Sequence, residues 1–244
     1  MAFKDGDFLE IEYTAWNESD NSVLATTDEK VAKDSDVYNK DIKYGPALVV
    51  LGSNAVVKGL ERELKNMDVN QKKSFTLEPQ DAFGERIPDL VKVMPLSQFK
   101  SQNISPYPGM RLNVDNVSVT VVSVGSGRVV VDANHPDAGK KIKYEVKVVR
   151  KIDAEDEKAK ALARTYDVEP TKVEVKQNEI ELFYSDAVKK NADYFVNRAS
   201  LVASILAYMK NLQKVYIKEE YARHEEAEHQ HEHKDKEEKS EEEK

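Results

Sequence analysis

The 244-residue sequence predicts an α+β fold in three parts: an antiparallel sheet wrapped on a short helix, a small β-rich segment inserted into it, and a C-terminal ββαβ unit. Three observations carry this reading. Phe8 to Trp16 alternates, with Leu9, Ile11, Tyr13 and Ala15 on one face and Glu10, Glu12 and Thr14 on the other, the pattern of a half-buried strand. Leu48 to Met67 begins with four apolar residues ending at Gly52, then places Val56, Val57, Leu60, Leu64 and Met67 at helical spacing. This is the one convincing helix of the first 150 residues, so the surrounding β pattern must bury it. Finally, Val188, Ala192, Phe195, Ala199, Val202, Leu206 and Met209 alternate spacings of four and three, as in a long helix packed along its length.

In chain order, Asn17 to Asn21 is a turn, Val23-Leu24 a short apolar pair, and Thr26 to Asp41 an exposed, flap-like loop without periodicity. Lys73 to Leu77 forms a strand with Phe75 inward, ending at Pro79. Between Gly84 and Asp132 lies a separate core pattern: a strand at Leu90 to Met94, a helical turn at Pro95 to Phe99, and a stiff turn at Pro106 to Gly109. Strands follow at Arg111 to Val114 and Val117 to Val124, and Gly125-Ser126-Gly127 is a hairpin tip into Arg128 to Val131. Lys141 to Val149 is another strand, with Ile142, Tyr144, Val146 and Val148 alternating. Ala159, Leu162, Ala163 and Tyr166 form a short amphipathic helix, Val173 and Val175 pair with Ile180, Leu182 and Tyr184 across a Gln177-Asn178 turn, Ser185 can cap the long helix, and Val215 to Tyr221 completes the ββαβ unit. The long helix packs either on its own three-stranded sheet or in a shared dimer interface. The expected domains are therefore 1–84 with 132–152, the insertion 85–131, the C-terminal unit 153–223, and a disordered acidic tail 224–244.

Composition narrows the class. Hydrophobic residues make up 40% of the chain, its mean hydropathy is −0.66, and no apolar run approaches the roughly 18 residues needed to span a bilayer. The first residues lack the apolar core of a secretory signal. The absence of cysteine excludes disulfides, thiolate catalysis and cysteine-based zinc sites, and fits the cytoplasm. The net charge of −8 is concentrated in His224 to Lys244, where ten acidic residues face four lysines for a net of −6, leaving −2 for the rest. A nearly neutral body without a basic stripe argues against a nucleic-acid partner.

Four motifs in order carry a family resemblance: the first strand with Tyr13, Leu51-Gly52 with Val56-Val57-x-Gly59-Leu60-Glu61, Asp81-Ala82-Phe83-Gly84, and Asn134-His135-Pro136-x-Ala138-Gly139 before the last strand. Together they resemble FKBP-type peptidyl-prolyl cis-trans isomerases of the SlyD-like kind over roughly Asp7 to Lys151. The resemblance implies an FKBP-like sheet and isomerisation of X-Pro bonds. It also implies that 85–131 is an insert-in-flap domain that binds unfolded polypeptides, so the expected partners are unfolded or proline-containing chains. Long archaeal members look similar in carrying an extra C-terminal domain that dimerises, which implies a homodimer through 153–223.

Carried over motif by motif, the implied pocket consists of Tyr13, Leu24, Val56, Val57, Leu60, Phe83, His135 and Tyr144. Rotating an amide requires no nucleophile, metal or cofactor, so apolar and aromatic residues are the expected equipment. His135 is expected as a loop hydrogen-bonding residue, since the reaction transfers no proton. The sequence departs from the family at Phe83, where Tyr is usual, at Leu24 and Ala25, where an aromatic and an Asp are common, and at Asp137, which replaces Leu. The pocket is thus more purely apolar, and the alternative reading is a holdase with weak or no isomerase activity. His224, His229, His231 and His233 could hold nickel or zinc, or could simply belong to a solubilising tail. Gly125-Ser126-Gly127 lacks the following helix of a nucleotide loop, and His135 is the one histidine before the tail, which disfavours acid-base enzymes.

Overall fold

The structure, a computed structural model, describes residues 2–114, 117–186 and 192–221. Strand β1 (Phe8–Asn17) pairs antiparallel along its whole length with β9 (Ile142–Ile152). Its other edge is shared by β3 (Ala47–Val50) at the start and β2 (Val23–Thr26) at the end. Strand β4 (Lys72–Leu77) closes the five-stranded sheet beyond β9. The alternation read from the sequence is the alternation seen: Leu9, Ile11 and Ala15 are buried on the face that receives helix α2 (Lys58–Lys65), with Leu60, Leu64 and Met67 packed among them.

The stretch expected to be a bare loop at Thr26 to Asp41 contains a helix, α1 (Glu29–Asp34). The Asp28 carboxylate accepts hydrogen bonds from the N–H groups of Lys30 and Val31 at 2.8 and 3.1 Å, satisfying two of the unpaired donors of the first turn, and Ala32 is fully buried. One apolar anchor on a six-residue helix leaves no periodicity to read. Among the described residues α2 is therefore not the one helix of this region, and α3 (Leu96–Lys100) adds a third.

Residues 85–131 leave the sheet after β4 and return before β9. They form a four-stranded antiparallel sheet of β5 (Val91–Pro95), β6 (Arg111–Val114), β7 (Val117–Gly125) and β8 (Arg128–Asp132), in the order β5-β8-β7-β6. Phe99 of α3 packs with Val119, Val121, Val129 and Val131 in a core of their own. At the β7–β8 tip Ser126 and Gly127 both have positive φ, 49° and 73°, the conformation of a two-residue turn matching the twist of its strands.

Helix α4 (Glu155–Thr165) leads to β10 (Lys172–Lys176) and β11 (Glu179–Tyr184), joined as expected with Val173 opposite Leu182 and Val175 opposite Ile180. Helix α5 (Tyr194–Tyr208) then crosses over to β12 (Lys214–Glu219), parallel to β11. The core of this unit does not stop at residue 153: Phe8, Val50 and Ile152 of the large sheet belong to the same cluster as Leu162, Leu182 and Ile205. Phe8 and Leu9, neighbours on opposite faces of β1, are thus both fully buried.

Helix α5 departs from its expected seam. Its buried face carries Tyr194, Leu201 and Ile205, while Phe195, Ala199 and Leu206 point outward, and Ala192 is exposed ahead of the helix. The helix starts after Asp193 rather than Ser185. Val188, the tail from 224 onward and its four histidines lie outside the described residues. Among the described residues no helix is long and apolar enough to cross a membrane, and no group of three or more potential ligands gathers for a metal.

Candidate active site

Helix α2 is held against the end of β4 by a missing side chain. A Cβ on Gly59 would lie 2.5 Å from Leu77 Cδ2 and 2.9 Å from the Asp81 carbonyl oxygen, so glycine alone permits this approach. Arg62, one turn on, forks onto the Asp81 carboxylate at 3.0 and 2.8 Å, and this bond holds the Asp81 carboxyl below its usual range. The loop entering the helix is fixed from the other side, with the Gly52 N–H donating to Glu61 Oε1 at 3.0 Å. The Val57 side chain makes no cap bond, so it leaves the orphan N–H groups of the first turn without a side-chain acceptor.

Around this helix the structure gathers the sequence-derived residues. Leu60 and Tyr144 are buried in the apolar cluster of the sheet, and Tyr13, Leu24, Val56, Val57 and Phe83 are partly buried against it. The Tyr13 and Tyr144 rings lie 6.3 Å apart. Phe75 stacks on Tyr144 at 5.8 Å, across the ladder where the two are directly opposed. Phe75 was read only as an inward residue, although its place opposite the aromatic strand position was the signal that could have added it. Tyr13 is tied to the residue after β2 by two bonds: its N–H donates to Thr27 Oγ1 at 2.9 Å, and its carbonyl accepts from the Thr27 N–H at 2.9 Å. Ala25 is exposed in β2.

His135 joins the group through Phe83. The two rings are parallel within 2° and their centroids are 4.3 Å apart. His135 Nδ1 accepts the Asp137 N–H at 3.1 Å, which leaves Nε2 to carry the proton of the neutral ring. Asp137, the departure from the family pattern, is engaged by Lys140 at 2.7 Å. This stack also closes the neck of the insertion. Gly139 N–H donates to the Gly84 carbonyl at 2.8 Å, and Asn134 exchanges two bonds with the Ile87 backbone at 2.8 and 3.0 Å. Arg86 pairs with Asp132, which Asn134 also contacts at 2.7 Å. The two connecting strands are thus clamped within a few residues of Phe83.

Residues 92–137 match the family described as "FKBP26, IF domain". The chain is 29% identical over 154 residues to the short-type peptidyl-prolyl cis-trans isomerase of Methanocaldococcus jannaschii, covering 63% of this chain and 97% of that protein. It is 32% identical to the FKBP-type peptidyl-prolyl cis-trans isomerase SlyD of Vibrio cholerae over 53% of this chain and 66% of that protein. With the FKBP-type 16 kDa peptidyl-prolyl cis-trans isomerase of Escherichia coli K12 it shares 30% identity over 43% of this chain and 72% of that protein. The chain belongs to the FKBP-type peptidyl-prolyl cis-trans isomerases. This places the four ordered motifs in an isomerase framework.

Two clefts reach the site residues only at Tyr13, which lines both. One of about 500 Å³ is lined by Glu12, Lys72, Glu145 and Lys147 and by Thr27 to Glu29. Another, of about 760 Å³, separates residues 41–48 from Ala161, Arg164 and Thr165. Neither contains Val56, Val57, Leu60, Phe83 or Tyr144. Hydrated charges line the first cleft, which suits it poorly to stripping water from an amide.

Burial, then the neighbouring Tyr13 and the Asp137 carboxylate, push the Tyr144 phenol from 10.0 up to about 12. Between those values the folded chain keeps a proton that the unfolded chain has lost. The associated stability is fully present below pH 10 and disappears as pH rises through about 12. Tyr144→Phe should therefore remove about 1 kcal/mol from the stability lost between pH 10 and 11, measured by urea unfolding. An unchanged loss would assign the effect to the other buried tyrosines.

Proposed function

We propose that this isomerase turns X-Pro bonds on the surface formed by Tyr13, Leu24, Val56, Val57, Leu60, Phe83, His135 and Tyr144. The observation that supports this reading is their convergence around α2, with seven aromatic or aliphatic side chains in one apolar cluster and His135 stacked at its edge. A prolyl amide resists rotation by about 18–20 kcal/mol because resonance makes it planar and dipolar. The twisted transition state is less dipolar, so an apolar wall that removes water from the amide destabilises the planar form relative to the twisted one. Donors at the start of α2 are then available to a substrate carbonyl, where the helix dipole also favours partial negative charge. The His135 ring, stacked on Phe83, completes the wall and transfers no proton.

The lack of a hydroxyl at Phe83 favours a second reading, a holdase with feeble isomerase activity. Phe83→Tyr discriminates between them. If the site turns over, the added donor should raise kcat/KM on a proline-containing tetrapeptide by several-fold, roughly 1 kcal/mol of transition-state stabilisation. Activity undetectable in both proteins would favour the holdase.

The insertion 85–131 is proposed to hold unfolded polypeptide and to present its prolines to the nearby pocket at high effective concentration. Its exposed Val93, Tyr107, Val117 and Val122, together with a cleft of about 410 Å³ lined by Met94, Phe99, Ile104 and Leu112, support this. Replacing residues 89–131 by a short turn keeps the Asn134–Ile87 clamp. It should preserve turnover of a short peptide while reducing isomerisation in a refolding protein at least tenfold; equal losses in the two assays would refute the division of labour.

The C-terminal unit is proposed to dimerise the chain in the cytoplasm through the outward face of α5, where Phe195 is 56% and Val196 68% exposed. Phe195→Asp should convert a dimer to a monomer in analytical ultracentrifugation, and a wild-type monomer at micromolar concentration would remove this reading.

A further inference from the structure

Charges in the insertion are arranged unlike those elsewhere. Across the large sheet and the C-terminal unit basic side chains are commonly engaged, as Arg150 is with Glu10 and Glu157, Lys151 with Asp7 and Lys218 with Glu181. Among the described residues Lys92, Lys100, Arg111 and Arg128 have no ion-pair partner. The described carboxylates of this sheet and the segment leading into it are Asp89 and Asp132, the latter already engaged by Arg86 and Asn134.

The ladder assigns two of these cations to one surface. Val93 opposes Val130, Pro95 opposes Arg128, Thr120 opposes Asp132, and Arg111 opposes Thr120. Directly opposed residues in antiparallel strands, and residues two apart along a strand, share a face. Val93, Val130, Arg128 and Arg111 therefore lie together, on the side away from the core residues Val121, Val129 and Val131. This side is open: Val93 is 61% exposed, and Val122, beside the register shift of β7, is 47% exposed. Arg111 and Arg128 stand two strands apart and four residues offset, a diagonal of about 17 Å, which is about five residues of extended chain.

We propose that this face of the insertion binds extended polypeptide segments in which aliphatic residues lie between two carboxylates six residues apart, the first same-face spacing that spans this diagonal. The inference rests on the reading of the insertion as a polypeptide holder and adds which polypeptides it prefers. The aliphatic centre accepts apolar side chains. Each arginine, without an ion-pair partner among the described residues, gains a carboxylate partner that its planar fork can bind with two bonds. Segments carrying lysine at the same positions meet like charge and are rejected.

The test uses the full chain and three unstructured fluorescent peptides with one aliphatic sequence, carrying Glu, Gln or Lys at two positions six apart, which share a face of an extended chain. Exposed ion pairs are individually weak, so at low salt the Glu peptide should bind about fivefold more tightly than the Gln peptide. The Lys peptide should bind more weakly than either. The Glu preference should vanish in the Arg111→Gln, Arg128→Gln double variant, with an unchanged thermal midpoint as the folding control. Equal affinities for Glu and Gln peptides overturn the proposal while leaving polypeptide capture standing. A Glu preference that survives in the double variant overturns its assignment to this face. Failure of the wild-type chain to bind even the Gln peptide overturns both the proposal and the reading beneath it.

Discussion

Strand β1 is hydrogen-bonded on both edges and, at its start, buried on both faces. Its pairing with β9 sets the register of Tyr13 against Tyr144, and its other edge fixes β2, which carries Leu24, and β3, which delivers the chain into α2. Phe8 and Leu9 face opposite cores, so the same strand joins the sheet that holds the candidate pocket to the C-terminal unit. A register slip of one residue would exchange these faces, sending Leu9, Ile11 and Tyr13 away from α2. The double burial makes such a slip prohibitively costly, which gives the site a fixed frame without requiring any special group within it.

The insertion is attached to this frame through few residues but many bonds. Asn134 closes both connecting strands, Arg86 and Asp132 pair beside it, and Gly139 reaches back to Gly84. The Asp132 carboxyl illustrates the balance at such a place: burial opposes its charge, but bonds from Asn134 and the Arg86 guanidinium outweigh this and keep it below the usual range. Because the Phe83–His135 stack lies on the same two connectors, the wall of the site and the root of the insertion share one set of constraints.

Much of this was legible in the sequence where one face was buried and the other wet. The alternation of β1 and β9, the 3.6-residue period of α2 and the β10–β11 register all follow from such asymmetry, and the implied pocket residues do meet around α2. Legibility failed where asymmetry was missing. Helix α1 has a single buried side chain, and its Asp28 cap was the only local clue. Helix α5 is apolar on several sides, so periodicity selected Phe195 and Leu206 as readily as Tyr194 and Ile205, and only the position of the Phe8 and Leu162 core decides between them. The neck clamp was invisible for a different reason: Arg86 and Asp132 are neighbours through topology, 46 positions apart in the chain.

Gly59 separates two properties of the candidate pocket that would otherwise change together. The distance from α2 to β4 is limited by backbone and Leu77 rather than by any side chain at position 59. Val56 and Val57, only partly buried at the start of the helix, can therefore be exchanged for larger, smaller or more polar residues while Leu60 and Leu64 keep the helix in its seat. Chemical character becomes a free variable while depth stays constant, which makes this surface a scaffold whose selectivity can drift or be redesigned one side chain at a time.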